Sequence, residues 1–453
     1  MTPKSNTALF ENTPVSSAVI KLAVPTIISS LVMVIYNLAD TYFVGILNDP
    51  VQTAAVTLAA PLLLAFNAVN NLFGVGTSSA MSRLLGRGET EAVKDCSAFG
   101  FYCALVCAVL YASATGVLQE PLVNLLGAGA DSFSATAAYM KWAVSFGAVP
   151  SILNVVFAFL VRSEGNSVHA SIGTMSGCLL NVILDPVFIL PWGFDMGAAG
   201  AGLATFLSNC VACLYFVGLL FIRRRSTCVC IDIRRFSFQK TIAADIFGVG
   251  VPAAVQNLLN VTGMTVFNNF ATAYGSQVVA AMGIAQKIQM VPLQVAMGAA
   301  QGIMPFVGYN YASKNYKRMS EAVMYLLGRA LALMAVVVIG CSMFSGGLVG
   351  LFIKTEPVVE YGSRFLIGFL LALPFMCVDY TTVGVFQAIG AGKKSLLFAF
   401  LRKIALEIPA LVALNYLVPL YGMPYASMCA ELILAAVSAV MLRKVLRGDA
   451  KAQ

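Results

Sequence analysis

Asp40 and Asp185 are carboxylates set in long apolar stretches, and each has an amide close by in sequence: Asn37 three residues before Asp40, Asn181 four before Asp185. The four-residue spacing puts Asn181 and Asp185 on one face of a helix. Thr205 offers a hydroxyl from a third stretch. Counted from the ends of their stretches, Asp40, Asp185 and Thr205 each lie about seven residues inside, or about 10 Å at the helical rise. Oxygen ligands at one depth suit a hard cation such as Na⁺, bound through oxygen alone. They also suit a proton, which two neighbouring carboxylates can share. Either occupant changes the charge of the site, as ion-coupled transport requires. The plainer alternative is that the two acids brace kinked helices, Pro186 following Asp185 directly.

These positions matter because of the medium around them. Of 453 residues, 59% are hydrophobic and 11% charged, where a soluble domain carries roughly a quarter charged. That composition predicts an all-α, multi-pass membrane protein. A charge at the bilayer centre costs at least about 2.5–3.5 kcal/mol, so each one is a functional candidate by default. The candidates are Asp40, Asp185, Asp379, Glu407, Glu431 and Lys287. The net charge of +8 does not point to nucleic acid, because the basic residues cluster between apolar spans, as loops facing anionic lipid do. Most of the 11 cysteines lie inside apolar runs, where they act as small hydrophobes. Cys228-Val-Cys230 reads as free thiols rather than a metal site. With a single histidine, His169, a zinc enzyme is not expected. The stretch from about Ser17 to Leu47 is longer than the roughly 7–15-residue core of a cleavable signal and reads as a first span.

Twelve spans are predicted, near 17–47, 53–81, 93–118, 133–162, 167–192, 198–222, 241–273, 278–309, 319–353, 358–389, 395–418 and 424–446. Alternate loops carry the Lys and Arg residues (for example Arg83, Arg87 and Lys94; Lys314, Lys317 and Arg318; Lys393 and Lys394; the tail to Lys451), whereas the intervening loops hold only Lys354. The positive-inside rule then places both termini in the cytoplasm of a plasma-membrane protein. The longest basic loop, 223–240, separates an N-terminal lobe (1–222, helices 1–6) from a C-terminal lobe (241–453, helices 7–12). Sliding the second lobe back by 227 residues sets Val251-Pro252 on Val24-Pro25 and Ala281 on Ala54. Six spans per lobe is even, so the repeats are parallel and related by a pseudo-two-fold axis along the membrane normal, an arrangement that places substrate between the lobes.

With Leu22-Ala-Val-Pro-Thr-Ile, Tyr36-Asn-Leu-Ala-Asp-Thr-Tyr-Phe-Val-Gly, Leu72-Phe-Gly-Val-Gly, Ser82-Arg-Leu-Leu-Gly, Arg162-Ser-Glu-Gly-Asn and Asn181-Val-Ile-Leu-Asp-Pro in this order, the chain resembles the multidrug and toxic compound extrusion (MATE) family along essentially its whole length. The resemblance is to the prokaryotic branch whose working carboxylates lie in the N-terminal lobe. It implies two six-helix bundles that alternate between inward- and outward-facing states. It also implies export of amphipathic, often cationic compounds against Na⁺ or H⁺, with no cofactor and no ATPase subunit, by a monomer. Asp40, Asn181, Asp185 and Thr205 match the family's cation site, and Pro25 matches the proline at which helix 1 bends. The C-terminal lobe matches less well. Helix 7 offers amides where some members carry an acid, Asp379 is displaced by about three residues, and Glu407 is unusual for the branch.

Substrate-facing candidates follow from spacing and depth. Gln256, Asn260 and Met264 recur at i, i+4 and i+8, giving helix 7 a mixed polar face. Met290, Met297 and Met304 recur every seven residues, with Met282 eight before; thioethers suit varied ligands, and the same stripe suits ordinary helix packing. Tyr36, Asn154, Asp379 and Glu431 complete the set, Glu431 as an attractor of cationic substrate from the outer half of helix 12 or as a partner for a neighbouring helix. Gly390-Ala-Gly-Lys-Lys-Ser is not a phosphate loop, since its first glycine would fall at Gln387 and Lys394 takes the Ser/Thr position. Two rivals make different demands. A flippase for lipid-linked saccharides needs several Arg or Lys residues at mid-membrane depth, where only Lys287 comes close. A membrane-embedded transferase needs an interfacial His–carboxylate pair or a D-D-x-x-D cluster, and neither motif is present.

Overall fold

The computed structural model describes residues 4–448, so Lys451 of the basic tail lies outside the described residues. Those residues form helices joined by turns and one long segment, 223–239, with no strand among them. Ten helices are long and apolar enough to cross a membrane: α1 (Val15–Ile46), α2 (Pro50–Gly86), α3 (Thr90–Val117), α5 (Ser167–Ile189), α6 (Gly197–Ile222), α7 (Lys240–Thr272), α8 (Ser276–Ala312), α9 (Tyr316–Met343), α10 (Glu356–Ala388) and α12 (Tyr425–Leu446). An eleventh span, α4, is a pair, Ala130–Phe146 and Ala148–Ser163, bent by 42° at Gly147. The twelfth, α11 (392–417), is helical throughout but passes through a wide π-helical stretch, Leu401–Glu407. That stretch carries Arg402, Lys403 and Glu407. The described residues thus hold ten or eleven spans by length and composition plus α11, consistent with the twelve expected, with ends within a few residues of expectation except at α9. That helix stops at Met343, and a separate short helix, Ser345–Gly350, follows.

The helices pack into two compact units. One comprises residues up to Asn12 together with Ile28–Ala254, the other Thr13–Ile27 together with the residues from Val255 onward. We call them unit 1 and unit 2. Each takes in the opening half of a helix that belongs by sequence to the other repeat: α1 up to Ile27 packs in unit 2, and α7 up to Ala254 packs in unit 1. The compact units thus differ from the linear division 1–222 and 241–453 in these two segments. Close backbone approach accounts for the exchange. A Cβ on Gly302 of α8 would lie 2.8 Å from the Ala23 Cα of α1, and one on Gly76 of α2 would lie 2.5 Å from the Ile246 carbonyl of α7. Only glycine admits contacts this tight. The two changeovers are 227 residues apart (254 − 27), the offset that superposes the repeats, and each follows a proline by two residues, Pro25 and Pro252. A proline inside a helix withdraws the hydrogen bond to the carbonyl four residues back, which loosens α1 and α7 next to the point where they change units.

The basic segment between α6 and α7 is sewn onto unit 1. Buried Glu164 accepts from the Cys228 N–H (2.8 Å) and from the Thr227 hydroxyl (2.9 Å). Ser97 Oγ accepts from the Cys230 N–H (2.9 Å), Tyr102 donates to the Ile231 carbonyl (2.8 Å), and Arg235 pairs with Glu91 (2.8 Å). Phe236 stacks on Phe99 at 5.7 Å. Composition marks the segment as a polar linker, but its backbone groups find partners and hold it as a strap.

Candidate functional site

Three helices of unit 1 bring the oxygen-bearing residues together. Asp185 and Asn181, one turn apart on α5, are fully buried at 0% and 1% exposure, and Thr205 on α6 is buried beside them. With its amide turned so that the nitrogen faces Asp185, the orientation that satisfies both its polar atoms, Asn181 donates to Asp185 Oδ2 at 2.9 Å and accepts from the Thr205 N–H at 3.1 Å. The amide therefore fixes the carboxylate and ties α5 to α6. Asp40 on α1 lies within electrostatic reach of Asp185, and its Oδ1 is buried without a hydrogen-bond partner. An acceptor atom buried without a donor is costly, and a bound cation or proton relieves that cost. The Tyr36 phenol, one turn before Asp40, interacts with the Thr205 side chain. Buried Tyr139 on α4 faces both carboxylates as well. Tyr139 carries no sequence signal beyond being an aromatic in an apolar run.

The polar chain continues towards α4. Asn209, one turn after Thr205, donates to the Thr205 carbonyl at 2.8 Å, and Asn154 donates to Asn209 Oδ1 at 3.1 Å. Asn154 is buried in this network. Asn37 takes no part in it: it is exposed, and its amide donates to the Met33 carbonyl of its own helix at 2.8 Å. A three-residue step turns about 60° off the Asp40 direction at 3.6 residues per turn, and here the short side chain finds its own backbone first.

Unit 2 is built differently. Asp379 (α10) and Glu431 (α12), both 0% exposed, flank Arg402 of the α11 π-helical stretch, itself 1% exposed. Arg402 Nη2 pairs with Asp379 Oδ2, and Nε lies 3.1 Å from Glu431 Oε1. The guanidinium sits 4.4 Å over the Tyr380 ring. Next to it Lys403 Nζ contacts Glu407 Oε2 at 2.7 Å, and Ser427 donates to Glu407 Oε1 at 3.3 Å. Four of these five charged residues are buried and Lys403 is half-buried.

The MatE family model matches residues 25–187 and 252–412. The chain belongs to the MatE family. Its two matches begin 227 residues apart (252 − 25), at Pro25 and Pro252, so the internal repeat is the family's own unit. Multidrug export protein MepA of Staphylococcus saprophyticus is 31% identical over 440 residues, covering 97% of this chain and 95% of that protein. A solved MATE structure in complex with MaL6 superposes with a TM-score of 0.92 at 27% identity, over 98% of this chain and 99% of that one. An outward-facing multidrug resistance MATE transporter superposes equally well, at 0.92 and 26% identity over 98% of each chain. This MATE chain is a membrane transporter, not an enzyme.

The remaining cavity candidates of the MATE chain divide by burial. Asp379 and Glu431 are corrected from cavity lining to buried ion pairing, because carboxylates deep in unit 2 have Arg402 as counter-charge. Glu431 is therefore not displayed in an outer half-membrane to attract cations. Gln256 is buried and accepts from Gln387 at 3.2 Å, whereas Asn260 is half-buried and Met264 is exposed. The methionine stripe of α8 is not one surface: Met282 and Met304 are core, Met297 is half-buried and Met290 is exposed. Identical spacing meets different neighbours along a long helix. Arg402 and Lys403 are the residues sequence reasoning missed, although both fall inside the predicted 395–418 span. Their presence supplies bases within an expected span, as the flippase reading asks, but each is held by an acid, and Lys287 is exposed. A cavity of about 730 Å³ at the α1–α2 turn, lined by Gly45, Asp49, Thr53 and Thr57, includes none of the cation-site residues.

Proposed function

We propose that this MATE protein is a secondary active multidrug exporter of the plasma membrane, with both termini cytoplasmic, that moves amphipathic, cationic compounds outward in exchange for Na⁺ or H⁺. The coupling ion occupies Asp40 and Asp185, positioned by Asn181 and Thr205. The observation that carries this reading is the orphaned, buried Asp40 Oδ1 beside a fully buried Asp185 held by an amide. Burying two like charges is tolerable only when a cation or proton joins them, so the site favours an occupied state. MepA, 31% identical over nearly the whole chain, is named for multidrug export, which supports the substrate class. A bound ion biases two conformations only through differential affinity. Pro25, next to the α1 changeover between units, is the hinge that responds to ion occupancy, and Tyr36 in unit 1 and Asn260, Met264, Met290 and Met297 in unit 2 are the substrate contacts. The chain works as a monomer, and the repeats 1–222 and 241–453, joined by 223–240, are its lobes. The flippase alternative is less well supported, since Arg402 and Lys403 are each paired with acids.

Dye efflux from vesicles under imposed Na⁺ or pH gradients tests the reading. Asp40→Asn and Asp185→Asn are each expected to insert normally and to lose gradient-driven export. Full activity in both would remove the mechanism.

A further inference from the structure

The strap between α6 and α7 carries charge that its own contacts do not use. Residues 223–240 hold six basic side chains and one acid, Asp232, a net +5 (6 − 1). Arg235 is taken up by unit 1, through Glu91 at 2.8 Å and Asp95 at 3.6 Å. Its neighbour Arg234 is not. The Asp232 carboxylate accepts from the Arg234 N–H at 3.0 Å and caps a single 3-10 turn, Ile233–Arg235, in which successive side chains point about 120° apart. Arg235 therefore reaches the protein while Arg234 stays exposed. Arg224 and Arg225 are exposed as well, and none of the three pairs with an acid among the described residues.

Apolar side chains stand beside these arginines. Phe221 and Ile222 end α6 immediately before the arginine run, both exposed, and the Arg224 guanidinium lies 5.6 Å over the Phe221 ring. Beyond the helix end, Ile233 and Phe238 are exposed too, Phe238 steadied by the Phe99 ring at 5.8 Å. We propose that the strap is a binding site for anionic phospholipid, in which Arg224, Arg225 and Arg234 take phosphodiester headgroups while Phe221, Ile233 and Phe238 enter the boundary between headgroups and acyl chains. Guanidinium forks match phosphate oxygens in pairs, and exposed apolar groups rimmed by basic ones mark a membrane-facing surface. The last turn of a membrane-crossing helix already sets Phe221 and Ile222 at that boundary. A nucleic acid would use the arginines but leave Ile222 and Ile233 without a role. The bonds to Glu164, Ser97 and Tyr102 hold the strap in shape beforehand, so binding loses little chain entropy. The other basic turn shows that charge alone does not make this site: Lys314 and Lys317 are exposed with no exposed large apolar side chain near them in sequence. The inference depends neither on which face of the membrane the strap occupies nor on the coupling role of Asp40 and Asp185.

Lipid retention by the purified full-length protein tests it. From micelles holding equal parts of phosphatidylglycerol and phosphatidylcholine at low salt, the wild type should keep the anionic lipid with a preference on the order of tenfold, and added salt should erode it. The triple variant Arg224→Gln, Arg225→Gln, Arg234→Gln should bring the preference close to unity. Phe238→Ser should lower it several-fold with no change in net charge. Lys314→Gln with Lys317→Gln removes two exposed bases from unit 2 and should leave the preference within about twofold. Unfolding of each variant at the wild-type temperature in lipid-free detergent checks that these exposed substitutions leave the fold intact. Phosphatidylglycerol should then raise the wild-type unfolding temperature, whereas inorganic phosphate and a short RNA should not. An unchanged preference in the triple variant, an equal loss in the Lys314 and Lys317 variant, or equal stabilisation by phosphate or RNA overturns the proposal.

Discussion

Both units set acids in their interiors and treat them in opposite ways. In unit 1, Asp40 and Asp185 have amides, hydroxyls and phenols for company and no basic side chain, so their charge awaits something from outside the chain. In unit 2, Asp379, Glu407 and Glu431 are met by Arg402 and Lys403, a tethered supply of positive charge. A coupled transporter needs a site whose occupancy changes, and covalently attached cations cannot leave. The contrast therefore supports unit 1 as the place of the exchangeable ion, Na⁺ or H⁺, that we propose.

Removing the tethered cation gives the largest expected effect. Arg402→Ala strands two buried carboxylates, and breaking a buried pair in this way costs ~3–5 kcal/mol. Thermal unfolding in detergent should show a clear loss of stability, whereas the uncharged triple variant Asp379→Asn, Arg402→Gln, Glu431→Gln should recover most of it. An Arg402→Ala protein as stable as wild type would mean the trio is not charge-coupled. Next comes Asn181→Ala, which leaves Asp185 without its donor. A lost partner for a buried acceptor costs ~1–3 kcal/mol, read as roughly a tenfold rise in the cation concentration for half-maximal transport, with unfolding changed less than for Arg402. Equal half-saturation would remove Asn181 from the site. The smallest effect on ion binding belongs to Pro25→Ala. Restoring the helical donor stiffens α1 beside its changeover, so export should weaken several-fold while cation binding stays within about twofold, since Pro25 supplies no ligand. Loss of binding there would contradict the hinge role.

Much of unit 1 was readable in advance because its signals are local. Asp185 and Asn181 share a helix face through a four-residue step, and a carboxylate in an apolar run is conspicuous by its cost. The repeat offset was readable for a similar reason, since Pro25 and Pro252 mark equivalent places and the family matches begin on them. What escaped depends on distance. Arg402 meets Asp379 and Glu431 only after three helices pack, and within 395–418 a lysine and an arginine next to loop-facing Lys393 and Lys394 pass for the end of a cytoplasmic basic cluster. The exchange of the opening halves of α1 and α7 is likewise written in glycines at Gly76 and Gly302, whose meaning appears only when the opposing backbone is in place. Asn37 shows the limit of spacing alone, for its amide had a nearer acceptor in Met33.

Counting cations bound at equilibrium tests the central claim most directly. Purified wild-type protein should take up one coupling cation, measured as radiolabelled Na⁺ retained or as protons released to an indicator on substrate addition. Asp40→Asn and Asp185→Asn should each abolish that uptake, and Arg402→Gln should preserve it in unit 1. Undiminished uptake in Asp185→Asn would contradict the account.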